Sequence, residues 1–215
     1  WYKNDLAGIA SYHEDHGEGL DMYKVGRTLG LGMTAPYVND TLCLGRNFTA
    51  YEILDQGPLR ISFRLKYKPY DAGGKEVVET RLISLDAYSH LNQVKNIFTT
   101  DSTVSEIQVA TGIVMVQDSK EETFVDTKNG IMAYKLPEDS VNGIIYTGVI
   151  NPRGFLSVKV SQGHLLGINS YKPGSEYVYY AGGGWSKAGF DTFDAWIAYL
   201  KMQKNKMVEP LKIEI

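Results

Sequence analysis

Sulfur chemistry is nearly absent from this chain, which has a single cysteine, Cys43, among 215 residues. One cysteine excludes an intrachain disulfide and a thiolate zinc cluster. Cys43 lies in "TLCLG", an alternating apolar stretch with nothing beside it to lower a thiol pKa, and reads as a buried strand residue rather than a nucleophile. Long apolar runs are also lacking. No stretch approaches the ~18 residues of a membrane-spanning helix, and no charged-then-apolar leader opens the chain. Nor does one sign of charge dominate: 22 basic and 25 acidic residues leave a formal charge of −3, with no Lys/Arg block. A nucleic-acid or anionic-membrane footprint is therefore not expected, and an anionic partner must be held by a local pocket. The first residue is Trp1 rather than Met, which reads as a chain lacking its N-terminal portion.

What is present is the composition of an ordinary globular domain, 43% apolar and 22% charged. Period-two patterning dominates. In "LRISFRLKY" (59–67), Leu59, Ile61, Phe63, Leu65 and Tyr67 face one way and Arg60, Ser62, Arg64 and Lys66 the other. Further strands are expected at 41–45, 48–55, 76–85, 92–99, 105–116, 122–126, 131–134, 143–150, 155–160, 164–171 and 176–181. Turn signals such as "DQGP" (55–58), "YDAGG" (70–74), "TKNG" (127–130) and "NPRG" (151–154) separate them. Many short strands and 15 tyrosines predict an all-β antiparallel sandwich, because a Rossmann or barrel fold needs helices between its strands.

One helix stands out near the end. Asp191 or Thr192 can cap it, and Phe193, Trp196, Ile197 and Leu200 form its apolar stripe. After the basic stretch Lys201–Lys206, "MVEPLKIEI" (207–215) reads as a last strand. No repeat or linker composition divides residues 1–215, which read as one domain.

No G-x-S-x-G, H-E-x-x-H, P-loop, EF-hand or C-x-x-C motif is present. The glycine clusters "GRTLGLG" (26–32) and "GGGW" (182–185) follow no strand-to-helix junction and read as tight turns or close backbone approaches. The stretch "YHEDHGEGLDMYK" (12–24) admits three readings. Asp15, Glu18 and Asp21 around two glycines resemble oxygen ligands for calcium, with His13 or His16 suited to a transition metal. A histidine beside carboxylates and Tyr12 or Tyr23 can trade protons near neutral pH. Charged residues interleaved with glycine also suit a solvated loop.

The continuation "MYKVGRTLGLG" places Lys24 and Arg27 close to Asp21, a pair suited to an anionic small molecule. Arg60 and Arg64 share the polar side of one strand, and Glu79 and Arg81 share a face of the next. On a concave surface these four residues would form a basic trough containing a carboxylate; on a solvent face they would be ordinary surface charge.

Three blocks carry a resemblance: "YHEDHGEGLDMYKVGRTLGLG", the stretch from "NFTAYEILDQGPLRISFRLKY" to "DAYSHLNQ", and "YYAGGGWSKAGFDTFDAWIAYL". Together they resemble the bacterial domain-of-unknown-function family numbered 4861, over essentially the whole chain. The family's "YHxxxGxGxDxYKVG" pattern falls on Tyr12, His13, Gly17, Gly19, Asp21, Tyr23, Lys24, Val25 and Gly26, leaving His16 at a variable position. "LGLG" (29–32) departs from the more polar or cysteine-containing turn expected there.

The resemblance implies a galactose-mutarotase-like super-sandwich encoded among polysaccharide-degradation genes. It also implies a periplasmic or secreted protein acting on uronate-containing or sulfated oligosaccharides; separately, no cofactor and no metal ligand set is assigned from the residues. Lyase or dehydratase chemistry would then place His13 or Tyr23 as base or acid and Lys24 and Arg27 as carboxylate neutralisers. Asp21 would orient the substrate, and Trp185 would stack against a sugar. On the same reading Arg60, Arg64, Glu79 and Arg81 line the substrate trough. A non-catalytic carbohydrate-binding module and an aldose-epimerase-like enzyme are the alternatives. Glycoside hydrolysis would need two of Glu14, Asp15, Glu18 and Glu79 at a set separation. His164, in "QGHLLG", reads as a satisfied strand residue, and His90, after the turn signal "DAYS", as exposed.

Overall fold

The computed structural model describes residues 2–17, 19–101, 103–116 and 122–209. A short helix α1 (Tyr2–Leu6) precedes β1 (Leu31–Val38), β2 (Thr41–Leu42), β3 (Ala50–Gln56), β4 (Arg60–Lys66) and β5 (Tyr70–Asp71). Next come β6 (Glu76–Asp86), β7 (Leu91–Thr99), β8 (Ile107–Val114), β9 (Glu122–Asp126) and β10 (Ile131–Lys135). The last strands are β11 (Ile145–Ile150), β12 (Ser157–Ser161), β13 (His164–Tyr171) and β14 (Tyr177–Trp185), followed by helix α2 (Phe193–Val208).

The strands build two antiparallel sheets, so the chain is an all-β sandwich with one long helix near its end. A five-stranded sheet runs β12-β13-β8-β1-β2, and a nine-stranded one runs β3-β4-β6-β7-β14-β11-β10-β9 with β5 added beside β6. Alternation within each strand sends one set of side chains between the sheets. Phe98, Met132, Val149 and Tyr179 from the larger sheet meet Val109, Ile113 and Leu165 from the smaller, all nearly or fully buried. Each such side chain contributes about 1.5–3 kcal/mol of burial.

The outer face of the larger sheet has a second core beneath α2. Thr192 caps this helix by accepting the Ala195 N–H at 3.1 Å, and Trp196 and Leu200 are fully buried. Two glycines in the sheet beneath make room for the helix and the residues leading into it. A Cβ on Gly148 would sit 2.7 Å from Leu200 Cδ1, and one on Gly184 would sit 2.6 Å from the Phe190 ring. "GGGW" is thus the end of strand β14: Gly184 makes room for Phe190 and Trp196, whereas a Cβ on Gly182 would strike the His90 carbonyl and one on Gly183 would crowd the Tyr146 carbonyl. The helix also absorbs Lys201–Lys206 and continues through Met207 and Val208, where a last strand was expected. Residues 210–215 of that expected strand lie outside the described residues.

Strand β1 was hidden by its glycines. Gly32 sits at a bulge between Leu31 and Met33 with φ +74°, and an added Cβ would lie 2.0 Å from that of Ala181 in the facing sheet. Only glycine permits both the backbone angle and the approach.

The smaller sheet does not cover the larger one. Every residue of edge strand β3 is exposed, and Tyr51, Ile53 and Ile61 stand uncovered on the inner side of the β3–β4 overhang. The edge of β1 therefore meets an open sheet face, and a cleft forms along that line.

His164, 3% exposed, is tied to backbone through both ring nitrogens. Its Nδ1–H donates to Gln162 O at 2.6 Å, and Nε2 accepts the Leu29 N–H at 3.1 Å. Burial pushes its pKa below 6.5, against the pull of the Gln162 carbonyl. Protons therefore bind the unfolded chain more readily, so His164 stabilises the fold above about pH 6.5 and loses this contribution as pH falls toward its native value. Denaturant midpoints from about pH 7.5 to about pH 5 are expected to fall more steeply in wild type than in His164→Leu. The variant should also be about 1–3 kcal/mol less stable at neutral pH, because the Leu29 N–H loses its acceptor. Parallel pH profiles would exclude this titration.

Candidate functional site

The register of β6 places two opposite charges between the sheets. Arg81 lies across from Leu65 and Asn96, and Glu79 across from Phe98, so both side chains share the inward face with apolar neighbours. They are 6% and 4% exposed and joined by Arg81 Nη2 to Glu79 Oε1 at 2.5 Å. Arg81 Nε and Asn96 Nδ2 donate to the same oxygen, each at 3.1 Å. Three donors thus converge on Oε1, and Oε2 receives none of them. The Arg81 guanidinium also lies 5.2 Å from the centre of the Tyr67 ring.

Burial pushes the Glu79 carboxyl above the usual carboxylate range, opposed by the Arg81 charge and by the nearby Tyr70 hydroxyl. Burial also works against the Arg81 charge, but Glu79 outweighs it and Arg81 stays cationic. Desolvation raises the Tyr70 phenol far above its ordinary value, so it remains protonated. Around the pair, Tyr70 Oη, Tyr179 Oη and Asn96 Oδ1 are buried and complete no hydrogen bond among the described residues. Buried polar atoms seldom go unsatisfied, and these three give the site spare hydrogen-bonding capacity.

A cavity of about 490 Å³ opens beside this pair, walled by Tyr67, Tyr70 and Glu79 on the larger sheet and by Arg27, Arg46 and Asn47 on loops. Thr34 and Met33 of β1 close its other side, and Met33 also borders a smaller apolar cavity of about 270 Å³ that contains Arg81. Arg27 and Arg46 are exposed and make no ion pair or hydrogen bond among the described residues. Two unpaired guanidiniums beside a protonated phenol and a buried carboxylate suit a ligand bearing both an acidic group and hydroxyls.

Of the residues expected from sequence, Arg27 and Glu79 meet in this cavity and Arg81 is bonded to Glu79. The four-residue trough does not form. Register puts Arg60 opposite Asp86 and Arg64 opposite Leu82, on the face away from Glu79 and Arg81. Both arginines are paired there, Arg60 with Asp86 at 2.5 Å and Arg64 with Glu52 at 2.6 Å.

The 12–24 stretch is bound largely to itself. His13 Nδ1–H donates to Asp21 O at 2.5 Å, and the Asp21 N–H donates to Tyr12 O at 3.0 Å. The Asp21 carboxylate accepts the Tyr23 N–H, and Asp15 accepts the N–H groups of Gly17 and Gly19. Among the described residues no three His, Cys, Asp or Glu side chains gather as metal ligands; Glu18 lies outside them. Tyr23 donates to Val114 O at 2.8 Å, and burial pushes its phenol well above the ordinary value, which makes it an anchor to the sandwich rather than a base. Lys24 borders a different cavity, about 570 Å³, with Glu138 and Asp139. Trp185 Nε1–H donates to Asn142 O at 2.7 Å, and Lys187 Nζ lies 5.8 Å from its ring.

A family model described as "Domain of unknown function (DUF4861)" matches residues 1–213. The chain belongs to that family. It is also 30% identical over 227 residues to "Uncharacterized protein P7" of Formosa agariphila, an alignment covering all of this chain and 54% of that protein. The chain thus spans about half the length of this curated relative. In this member of the family, the pattern from Tyr12 to Gly26 builds a self-bonded loop whose downstream end delivers Arg27 to the cavity.

Arg46, Asn47, Tyr67 and Tyr70 were not singled out by sequence reasoning. Arg46 and Asn47 sit in an irregular loop, and Tyr67 belongs to an apolar alternation that does not distinguish a packed ring from a cavity wall. Among the described residues no helix is long and apolar enough to cross a membrane.

Arg81→Met leaves the Glu79 carboxylate buried without a cation and is expected to cost about 3–5 kcal/mol. Glu79→Leu in the same chain should recover much of that loss, as measured by urea unfolding. Additive losses would show that the two charges are not coupled.

Proposed function

We propose that this protein is carbohydrate-active, holds a uronate-containing or sulfated oligosaccharide in the Arg27–Glu79 cavity, and carries out a lyase or dehydratase-like elimination there. The reading rests on one observation: two guanidiniums that make no ion pair among the described residues, those of Arg27 and Arg46, line the same cavity as Glu79 and two tyrosines. Arginine's fork matches a carboxylate or sulfate, and the hydroxyls of Tyr67 and Tyr70 match those of a sugar. A periplasmic or secreted setting, where polysaccharides are met, belongs to the same reading.

The chemistry follows from these groups. Arg27 and Arg46 hold the uronate carboxylate and stabilise the enolate-like charge that grows when the adjacent C–H proton is removed. Glu79 takes that proton, its affinity raised by burial, while Arg81 and Asn96 fix the carboxylate through Oε1. The electron pair of the broken C–H bond forms a carbon–carbon double bond as the neighbouring C–O bond breaks. The Tyr70 phenol, kept protonated by burial, gives its proton to the leaving oxygen.

A non-catalytic binding module is the second reading, and the absence of His13, Tyr23 and Lys24 from the lining of the Arg27–Glu79 cavity favours it. Substrate turnover distinguishes the two, since a module returns its ligand unchanged.

Arg27→Ala and Arg46→Ala are each expected to weaken binding of uronate oligosaccharides about 10-fold or more, with the loss shrinking at high salt. Glu79→Gln should lower elimination about 10²–10⁴-fold, read as new-double-bond absorbance, while affinity changes only a few-fold. Wild-type turnover in Glu79→Gln excludes it as the base, and unchanged affinity in both arginine variants excludes the cavity as the acidic-group site.

A further inference from the structure

The hairpin turn between β6 and β7 holds a tyrosine in an unfavourable state without any internal return. Tyr88 has φ +64°, the left-handed region that a bulky side chain rarely adopts, and its relative exposure is 101%. Its ring and hydroxyl make no hydrogen bond or ring contact among the described residues. The turn beneath it is firmly held. The Ala87 N–H donates to Leu59 O at 2.9 Å and the Ser89 N–H to Asp86 O at 3.1 Å. Arg60 grips Asp86 at 2.5 and 2.8 Å, and the His90 N–H donates to Tyr199 Oη of α2 at 3.0 Å. A bare aromatic ring is thus presented from a fixed base, an arrangement that folding alone does not favour.

Beside it runs a groove of about 740 Å³ between the turn and α2, lined by Ser84, Ser89, Gln93, Tyr180, Gln203 and Lys206 among others. Ser84 pairs with Gln93, and Gln93 with Tyr180, on the sheet face opposite Glu79 and Arg81, so the groove is separate from the cavity. Its hydroxyls and amides both donate and accept, as sugar hydroxyls do. Gln93 and Tyr180 are already aligned by a 2.5 Å hydrogen bond. Lys206 is exposed and makes no ion pair among the described residues, leaving a cation for an acidic substituent.

The geometry points to this groove as a second carbohydrate-binding site, in which a pyranose ring of an acidic polysaccharide stacks on Tyr88 while the groove's amides, hydroxyls and Lys206 hold its substituents. It rests on the reading that the ligand class is an acidic carbohydrate and is independent of whether the cavity performs elimination. A polymer that engages both faces gains residence on the protein without new contacts in the cavity.

Native gel electrophoresis through gels containing sodium alginate or sodium pectate tests it. Wild type is expected to be retarded. Tyr88→Gly should show at least about five-fold weaker retention with an equal or higher melting midpoint, because glycine adopts that φ freely. Tyr88→Phe should keep its retention, and Gln203→Ala/Lys206→Ala should lose part of it. Retention unchanged in Tyr88→Gly but lost in Arg27→Ala/Arg46→Ala overturns the groove alone. Retention lost in Tyr88→Gly but unchanged in the cavity variant supports the groove and overturns the cavity reading. Failure of both polymers to retard wild type overturns both. A change of oligomeric state in Tyr88→Gly, with retention intact, makes the turn a contact between copies and overturns the sugar site.

Discussion

The Arg81–Glu79 pair occupies a sheet face that is otherwise largely apolar, with neither side chain more than 6% exposed. Removing two ions from water costs several kcal/mol apiece, and only close pairing with further hydrogen bonds offsets that. Here Asn96 and the Tyr67 ring complete the set, which couples β6 to β7 and to the end of β4. The cavity wall inherits that placement. Glu79 faces Tyr70 and the incoming Arg27 loop because strand pairing holds it there, before any ligand arrives.

The site exists because the two sheets differ in width. The smaller one ends at β1 and β2, while β3 and β4 continue the larger sheet beyond it. A complete match of the sheets would leave no open space beside the already buried Glu79 and Arg81. The overhang leaves a cleft beside them, and the 43–47 segment brings Arg46 and Asn47 to its edge. On the opposite face, α2 seals the larger sheet by lying on glycines, and its flank forms the wall of the Tyr88 groove. One sheet thus offers polar concavities on both faces, each bounded by whatever element covers only part of it.

Much of the architecture was legible from local chemistry. Alternation in "LRISFRLKY" located β4, the turn signals separated the following strands, and Thr192 with Trp196 and Leu200 marked α2. Signals failed where glycine served packing between elements. "LGLG" read as a turn because its glycines weaken a strand pattern, yet Gly32 is there for a bulge against Ala181. "GGGW" read likewise, although β14 needs Gly184 for the Phe190 and Trp196 rings above it and Gly182 for the His90 carbonyl beside it.

The residue pattern by itself determined that this is a sandwich of antiparallel strands with a capped helix near the end, because period two and period 3.6 are properties of neighbours along the chain. It also put Glu79 with Arg81 and Arg60 with Arg64. It did not say which of those faces lies inside. In β6, Val78 and Leu82 alternate with Val77, Ile83 and Leu85, so both sides look half apolar, and burial depends on what the partner strands bring. Tertiary structure decided that. It sent Arg60 and Arg64 to surface ion pairs, kept Glu79 and Arg81 between the sheets, and brought Arg27 and Arg46 to their cavity from loops 19 residues apart in sequence, a meeting that no spacing along the chain encodes.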